Sequence, residues 1–120
     1  MNLKKGVISI SVAFLTISCV NDSTSDLTEP IAIGNVTYTS RVKAIIDNNC
    51  ITCHANVPVN GAPMPLTTYD NVKTAIENRG LLDRISRQNG QPGLMPNGGP
   101  RMPQTNIDLI VRWNTEGLQQ

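Results

Sequence analysis

Aromatic residues are scarce in this chain of 120 residues: one Phe, one Trp and two Tyr, 3% of the whole. Phe14 lies in the N-terminal apolar run, so only Tyr38, Tyr69 and Trp113 remain to fill a core. A single histidine, His54, excludes sites that need two imidazoles. Three cysteines, an odd number, do not pair off into a disulfide framework. No strong charge of either sign is present: the formal net charge is +1. Apart from Lys4 and Lys5, the basic residues are scattered between positions 41 and 112, which reads as solvated helix faces and disfavours nucleic-acid binding. The one apolar run, 7–17, is interrupted by Ser9, Ser11 and Thr16 and is too short for a permanent membrane span.

What the chain does have is Cys50-Ile51-Thr52-Cys53-His54. C-x-x-C-H is the signature of covalent c-type haem attachment. Two thiols add to the two vinyl groups on one porphyrin edge, and the adjacent imidazole ligates the iron from below. Three simpler readings compete. A thioredoxin-like dithiol expects a βαβ context, which the sequence lacks. A structural zinc needs four ligands, and only Cys50, Cys53, His54 and a carboxylate are on offer. A disulfide across two residues closes a trivially short loop. The histidine directly after the second cysteine favours haem.

Residues 1–18 read as an export signal. Lys4 and Lys5 form its positive start, and the apolar run leads to Ser18-Cys19. Leu15-Thr16-Ile17-Ser18-Cys19 resembles the bacterial lipobox, with Thr16 where Leu is usual. Lipidation at Cys19 is therefore expected in preference to plain secretion. It would account for the third cysteine, and loss of Lys4 and Lys5 would turn the net +1 into about −1. Residues 19–35 are polar and read as a flexible tether with a random-coil reach of roughly 20 Å. The folded domain is expected over 36–118, small for a self-sufficient core, so a buried haem would supply the missing apolar mass.

The periodicity predicts an all-α domain. A first helix over 40–49, capped by Thr39 or Ser40, carries Val42, Ile45 and Ile46 on one stripe and delivers Cys50 at its end. Pro58, Gly61, Pro63 and Pro65 make 55–65 a loop. A second helix, 69–78, has Thr68 as N-cap, Val72, Ala75 and Ile76 on its inner face, and a stop at Arg79-Gly80. A short third helix, 81–87, presents Leu82 and Ile85. Glycines and prolines exclude regular structure over 88–103. The last helix, 106–116, is expected to start at a Thr105 cap and close at Gly117, with Ile107, Ile110, Val111 and Trp113 as its apolar face.

A sixth iron ligand is expected from a methionine, whose thioether favours reduced iron. Most methionines are core or surface fillers. Met95, held by a following proline in Gly93-Leu94-Met95-Pro96, is the first candidate. Met102 comes second and Met64 third.

In this order the features resemble the class I cytochrome c family: a helix running into Cys50-x-x-Cys53-His54, a loop with Pro65-Leu66, middle helices, a methionine loop and a last helix bearing Trp113. The match is nearest to small mono-haem domains of exported bacterial lipoproteins with segments like Pro65-Leu66-Thr67-Thr68-Tyr69 and Met95-Pro96-Asn97-Gly98-Gly99. It covers about 37–117. The resemblance implies a cytochrome c fold of three to four helices around one haem c. Cys50 and Cys53 would form the thioethers, His54 would be the proximal ligand and Met95 the distal one. It implies that a proline carbonyl, Pro65 or alternatively Pro63, orients the His54 ring. It also implies that the first and last helices cross near Trp113. Because the first helix lacks the usual glycine and aromatic, Ala44 and Ile45 are expected at that crossing. The expected function is electron transfer outside the cytoplasm by a non-enzymatic, monomeric carrier. It would be lipid-anchored to a membrane in the periplasm or envelope and would serve redox partner proteins. Alternatives are a haem sensor or catalytic haem with a displaceable distal ligand, or an accessory subunit of one enzyme. Asp83 and Glu77 read as helix-surface charges, not as an acid–base pair.

Overall fold

Thr37 caps the first helical turn, which starts at Tyr38, two residues earlier than expected. Its hydroxyl accepts the backbone N–H of Ser40 (3.1 Å), and the Ser40 hydroxyl oxygen accepts the N–H of Thr37 (3.0 Å), a reciprocal cap that satisfies two otherwise orphaned donors. The computed structural model describes residues 34–120. The expected signal peptide, the lipid site at Cys19 and all but the last two tether residues lie outside the described residues.

From that cap a π-helical turn, Tyr38–Val42, runs directly into α1, Lys43–Asn49. Then come α2, Tyr69–Arg79; α3, Leu81–Ser86; and α4, Gln104–Thr115. The described residues contain no strand and form one compact helical unit. None of their helices is long and apolar enough to cross a membrane.

The local causes are mostly legible. Thr68 caps α2 by accepting the Asn71 N–H (3.2 Å), and Asp70 sits in the positively polarised first turn. Gly80, at φ +67°, ends α2 in the left-handed region and lets α3 start at once. At the far end of α4, the Leu118 N–H reaches the Trp113 carbonyl (2.9 Å) and the Gly117 N–H that of Asn114 (3.2 Å). That pair is a Schellman closure, and it needs Gly117 at φ +90°. The start of α4 departs from expectation. It begins at Gln104 after Pro103, with no side-chain cap, and Thr105 lies inside the helix. Proline fixes φ at a helix-compatible value and has no N–H to satisfy, so the helix starts without a hydroxyl cap.

The core is built where the N-terminal turn meets α4. Trp113 is fully buried, with the Tyr38 ring at 5.9 Å and the Tyr69 ring at 6.1 Å between centroids; Tyr38 and Tyr69 stand edge to face at 5.6 Å. The chain end closes over them. The Trp113 indole N–H donates to the Gln119 carbonyl (2.6 Å), Tyr69 Oη to the Leu118 carbonyl (2.7 Å), and the Tyr38 N–H to the Gln119 carbonyl (2.8 Å). The N-terminal turn and α4 therefore pack through Tyr38, not through the expected Ala44, which is exposed; Ile45 is buried. The aromatic missing from the predicted first helix stands just outside its predicted start. Smaller shifts of register follow the same logic. Leu81 is buried where Leu82 was expected and Leu82 is half-buried, while Val111 lies exposed on α4.

Candidate functional site

The C-terminal turn of α1 continues into the Cys50–His54 segment without a break. The Cys50 N–H bonds the Ile46 carbonyl (2.8 Å), the Cys53 N–H bonds the Cys50 carbonyl (3.2 Å), and the His54 N–H bonds the same carbonyl (2.9 Å). The two thiols and the imidazole thus leave one tight coil held on a helix. Both cysteines are free thiols of intermediate exposure. Burial pushes the Cys50 thiol up to about 11. A thiol so shifted is protonated at neutral pH, the opposite of what a nucleophilic or disulfide-exchanging cysteine needs. Among the described residues no three His, Cys, Asp or Glu side chains are placed to hold a metal ion, so the four-ligand cage of a structural zinc does not assemble.

Among the described residues His54 is the one buried side chain of polar or charged type, and it is fixed from two directions. The Leu66 N–H bonds its carbonyl (2.8 Å), and its ring Nδ1 lies 2.7 Å from the Met64 carbonyl oxygen. A carbonyl only accepts, so Nδ1 must carry the proton and donate. Nε2 is then left with its lone pair, the tautomer a metal-ligating imidazole requires. The expected acceptor, the Pro65 carbonyl, or that of Pro63, is thus corrected to Met64. The prolines act one step removed. Pro63 and Pro65 flank Met64, and a following proline restricts a residue to extended backbone. They stiffen the segment that presents the acceptor. The proline acceptor is what the family resemblance implies; a main-chain carbonyl carries no residue signal of its own.

The rest of the loop is tied to the motif as well. The Val59 N–H bonds the Cys53 carbonyl (2.9 Å), and the Asn60 amide lies 3.6 Å from Cys53 Sγ.

The methionines separate clearly. Met102 is 3% exposed, inside the main core cluster, where it fills space. Met64 and Met95 are half-buried against that cluster. Met95 is anchored by its own backbone N–H to the Arg84 carbonyl at the end of α3 (3.1 Å). Cys50, Ile51, Ile76, Leu82 and Leu109 are likewise apolar side chains only half covered, packed on the core from the turn after α1 and from α2, α3 and α4. Incompletely covered apolar groups packed on the same core as Cys50 are surface that a large apolar prosthetic group could finish burying.

Sequence reasoning missed three arginines at and beyond the end of α3. Arg84, Arg87 and Arg101 all donate to main-chain carbonyls or side chains around the Met95 loop. The charges were visible in the sequence, but their partners are backbone atoms and were not.

Comparison of the chain with protein-family models, with curated proteins and with solved structures found no match.

Proposed function

We propose that the chain is a mono-haem c-type cytochrome of cytochrome c fold, an electron carrier working outside the cytoplasm. The observation that carries this reading is the Cys50–His54 coil with the His54 Nδ1 proton held on the Met64 carbonyl at 2.7 Å. One imidazole nitrogen is committed and the other kept available beside two free thiols on the same turn. The half-covered apolar side chains that pack with Cys50 on the core and the raised Cys50 pKa support the same reading over a dithiol redox pair.

In this reading Cys50 and Cys53 hold haem c through thioethers, and His54 and Met95 are the iron ligands. Haem iron, when bound, supplies a one-electron couple whose potential methionine ligation raises. The protein's own work is to hold His54 in a single tautomer and orientation, to exclude water with the apolar side chains of α2, α3 and α4, and to keep Met95 in place. Two protein ligands leave no open position for a substrate, so a carrier is favoured over a sensor or a catalyst. Cys19 lipidation and anchoring to a membrane in the periplasm or envelope belong to the same proposal, with redox proteins as partners and a monomeric carrier.

The test is the visible spectrum of the full chain matured in a host that attaches haem c, oxidised and reduced, with and without carbon monoxide. The account expects low-spin spectra in both states, the weak far-red band of methionine-ligated ferric haem, and little carbon monoxide binding. A high-spin spectrum with ready carbon monoxide binding would contradict the carrier and favour the sensor or catalytic reading.

A further inference from the structure

The Met95 loop is held by arginines acting on its backbone. Arg84 donates to the Gly93 carbonyl (Nη1, 3.4 Å), and its own carbonyl accepts the Met95 N–H (3.1 Å). Arg87 donates from Nη1 to the Pro92 carbonyl. Its other two nitrogens are fixed on Asp83 Oδ2 (Nε 3.1 Å, Nη2 2.6 Å), so one face of the guanidinium is anchored to α3 while the other grips the loop. Successive carbonyls, 92 and 93, are therefore taken by Arg87, at the C-cap of α3, and by Arg84, in its last turn.

Gly93 makes this possible. It sits at φ +78°, and a Cβ built there would fall closer than 3.0 Å to a guanidinium nitrogen of both arginines. The glycine lets both side chains close over the backbone two residues before Met95.

We infer that Arg84 and Arg87, closing over Gly93, are positioning residues that set how firmly Met95 is held as the distal ligand. This rests on the proposed haem ligation by Met95. The two side chains touch neither ligand; they act through the loop. Arg87 carries the stronger grip because Asp83 orients it. Arg84 couples the loop to α3 through both its side chain and its carbonyl. Exposed ion pairs such as Asp83–Arg87 add little to global stability. The effect should therefore appear at the iron and not in the melting curve.

The experiment compares the holo full chain with Arg84→Gln, Arg87→Gln and the double variant. It reads the far-red band as a function of pH and the rate of carbon monoxide binding to the reduced protein. Losing two hydrogen bonds on the loop should raise the fraction of open iron on the order of tenfold in the double variant. The far-red band should vanish at lower pH than in the parent, while haem content and the far-ultraviolet helix signal stay unchanged. Arg87→Lys keeps the charge but cannot grip Asp83 and Pro92 together, so it should behave like Arg87→Gln; equality with the parent would assign the effect to charge and overturn the positioning role. A double variant with the parent's band, pH profile and carbon monoxide rate would overturn the inference alone. A parent with covalent haem and no far-red band would overturn Met95 ligation and this inference with it. Should the double variant fail to mature, Gly93→Ala, which forces both guanidiniums off the loop, must show the same early loss of the band, or the inference falls.

Discussion

At the scale of single residues, Met64, Met95 and Met102 should behave differently because they are held differently. Met64 contributes its carbonyl to His54, so Met64→Leu keeps the hydrogen bond and is expected to leave the far-red band in place. Met102 is core, 3% exposed, and Met102→Ala should cost roughly 2–5 kcal/mol of stability while leaving the band unchanged. Met95→Ala should abolish the band with little loss of helix. Absorption spectra and urea melts of the three variants decide this; loss of the band in Met102→Ala instead would move the distal ligand. The sequence made both loop methionines plausible, since each sits among glycines and prolines. Burial, which depends on how α3 and α4 meet, is what separates them.

At the scale of elements, two side chains tie the ends of the domain together with opposite energetic signs. Glu116, in the turn that closes α4, accepts from the Val36 N–H (2.7 Å) and from Arg112 Nε (2.6 Å). The Arg112 bond, then the Val36 bond, hold its carboxyl below the usual range. A carboxyl with a lowered folded-state pKa stabilises the fold fully above the ordinary carboxylate range, and that stabilisation is lost as the pH falls through it. Glu116→Gln should thus be less stable at neutral pH and lose less stability on acidification below about 4.5 than the parent, as urea melts at several pH values would show. Identical acid slopes would sink the assignment. Tyr38 is the converse. Its ring packs on Trp113 and Tyr69, but its buried hydroxyl has no hydrogen-bond partner among the described residues. Tyr38→Phe keeps the packing and removes an unsatisfied polar group, so it should raise stability by about 1 kcal/mol in the same melts; a loss would mean the hydroxyl is satisfied in solution. Helix interiors were readable from apolar spacing, as with Val72 and Ala75 or Ile107 and Ile110. The starts of the first and last helices were not. A Thr37–Ser40 cap and a proline-led α4 are local choices that weak hydroxyl signals do not rank.

At the scale of the whole molecule, an all-α domain was legible because no segment alternates with period two and every candidate helix shows a three-to-four spacing. The thiols and imidazole of the motif were legible because they are contiguous. What holds them was not: the Met64 carbonyl, the chain end over the aromatic cluster and the Arg84–Arg87 grip are all contacts of side chains with main-chain atoms, which carry no residue-type signal. The central claim is that Cys50 and Cys53 carry haem covalently. Acid–acetone extraction of the matured full chain, beside the double variant Cys50→Ala/Cys53→Ala, tests it most directly. The account predicts that haem stays with the parent protein and is released completely, or never retained, in the double variant. Haem extracted as readily from the parent as from the variant, or a parent that acquires none, would contradict it.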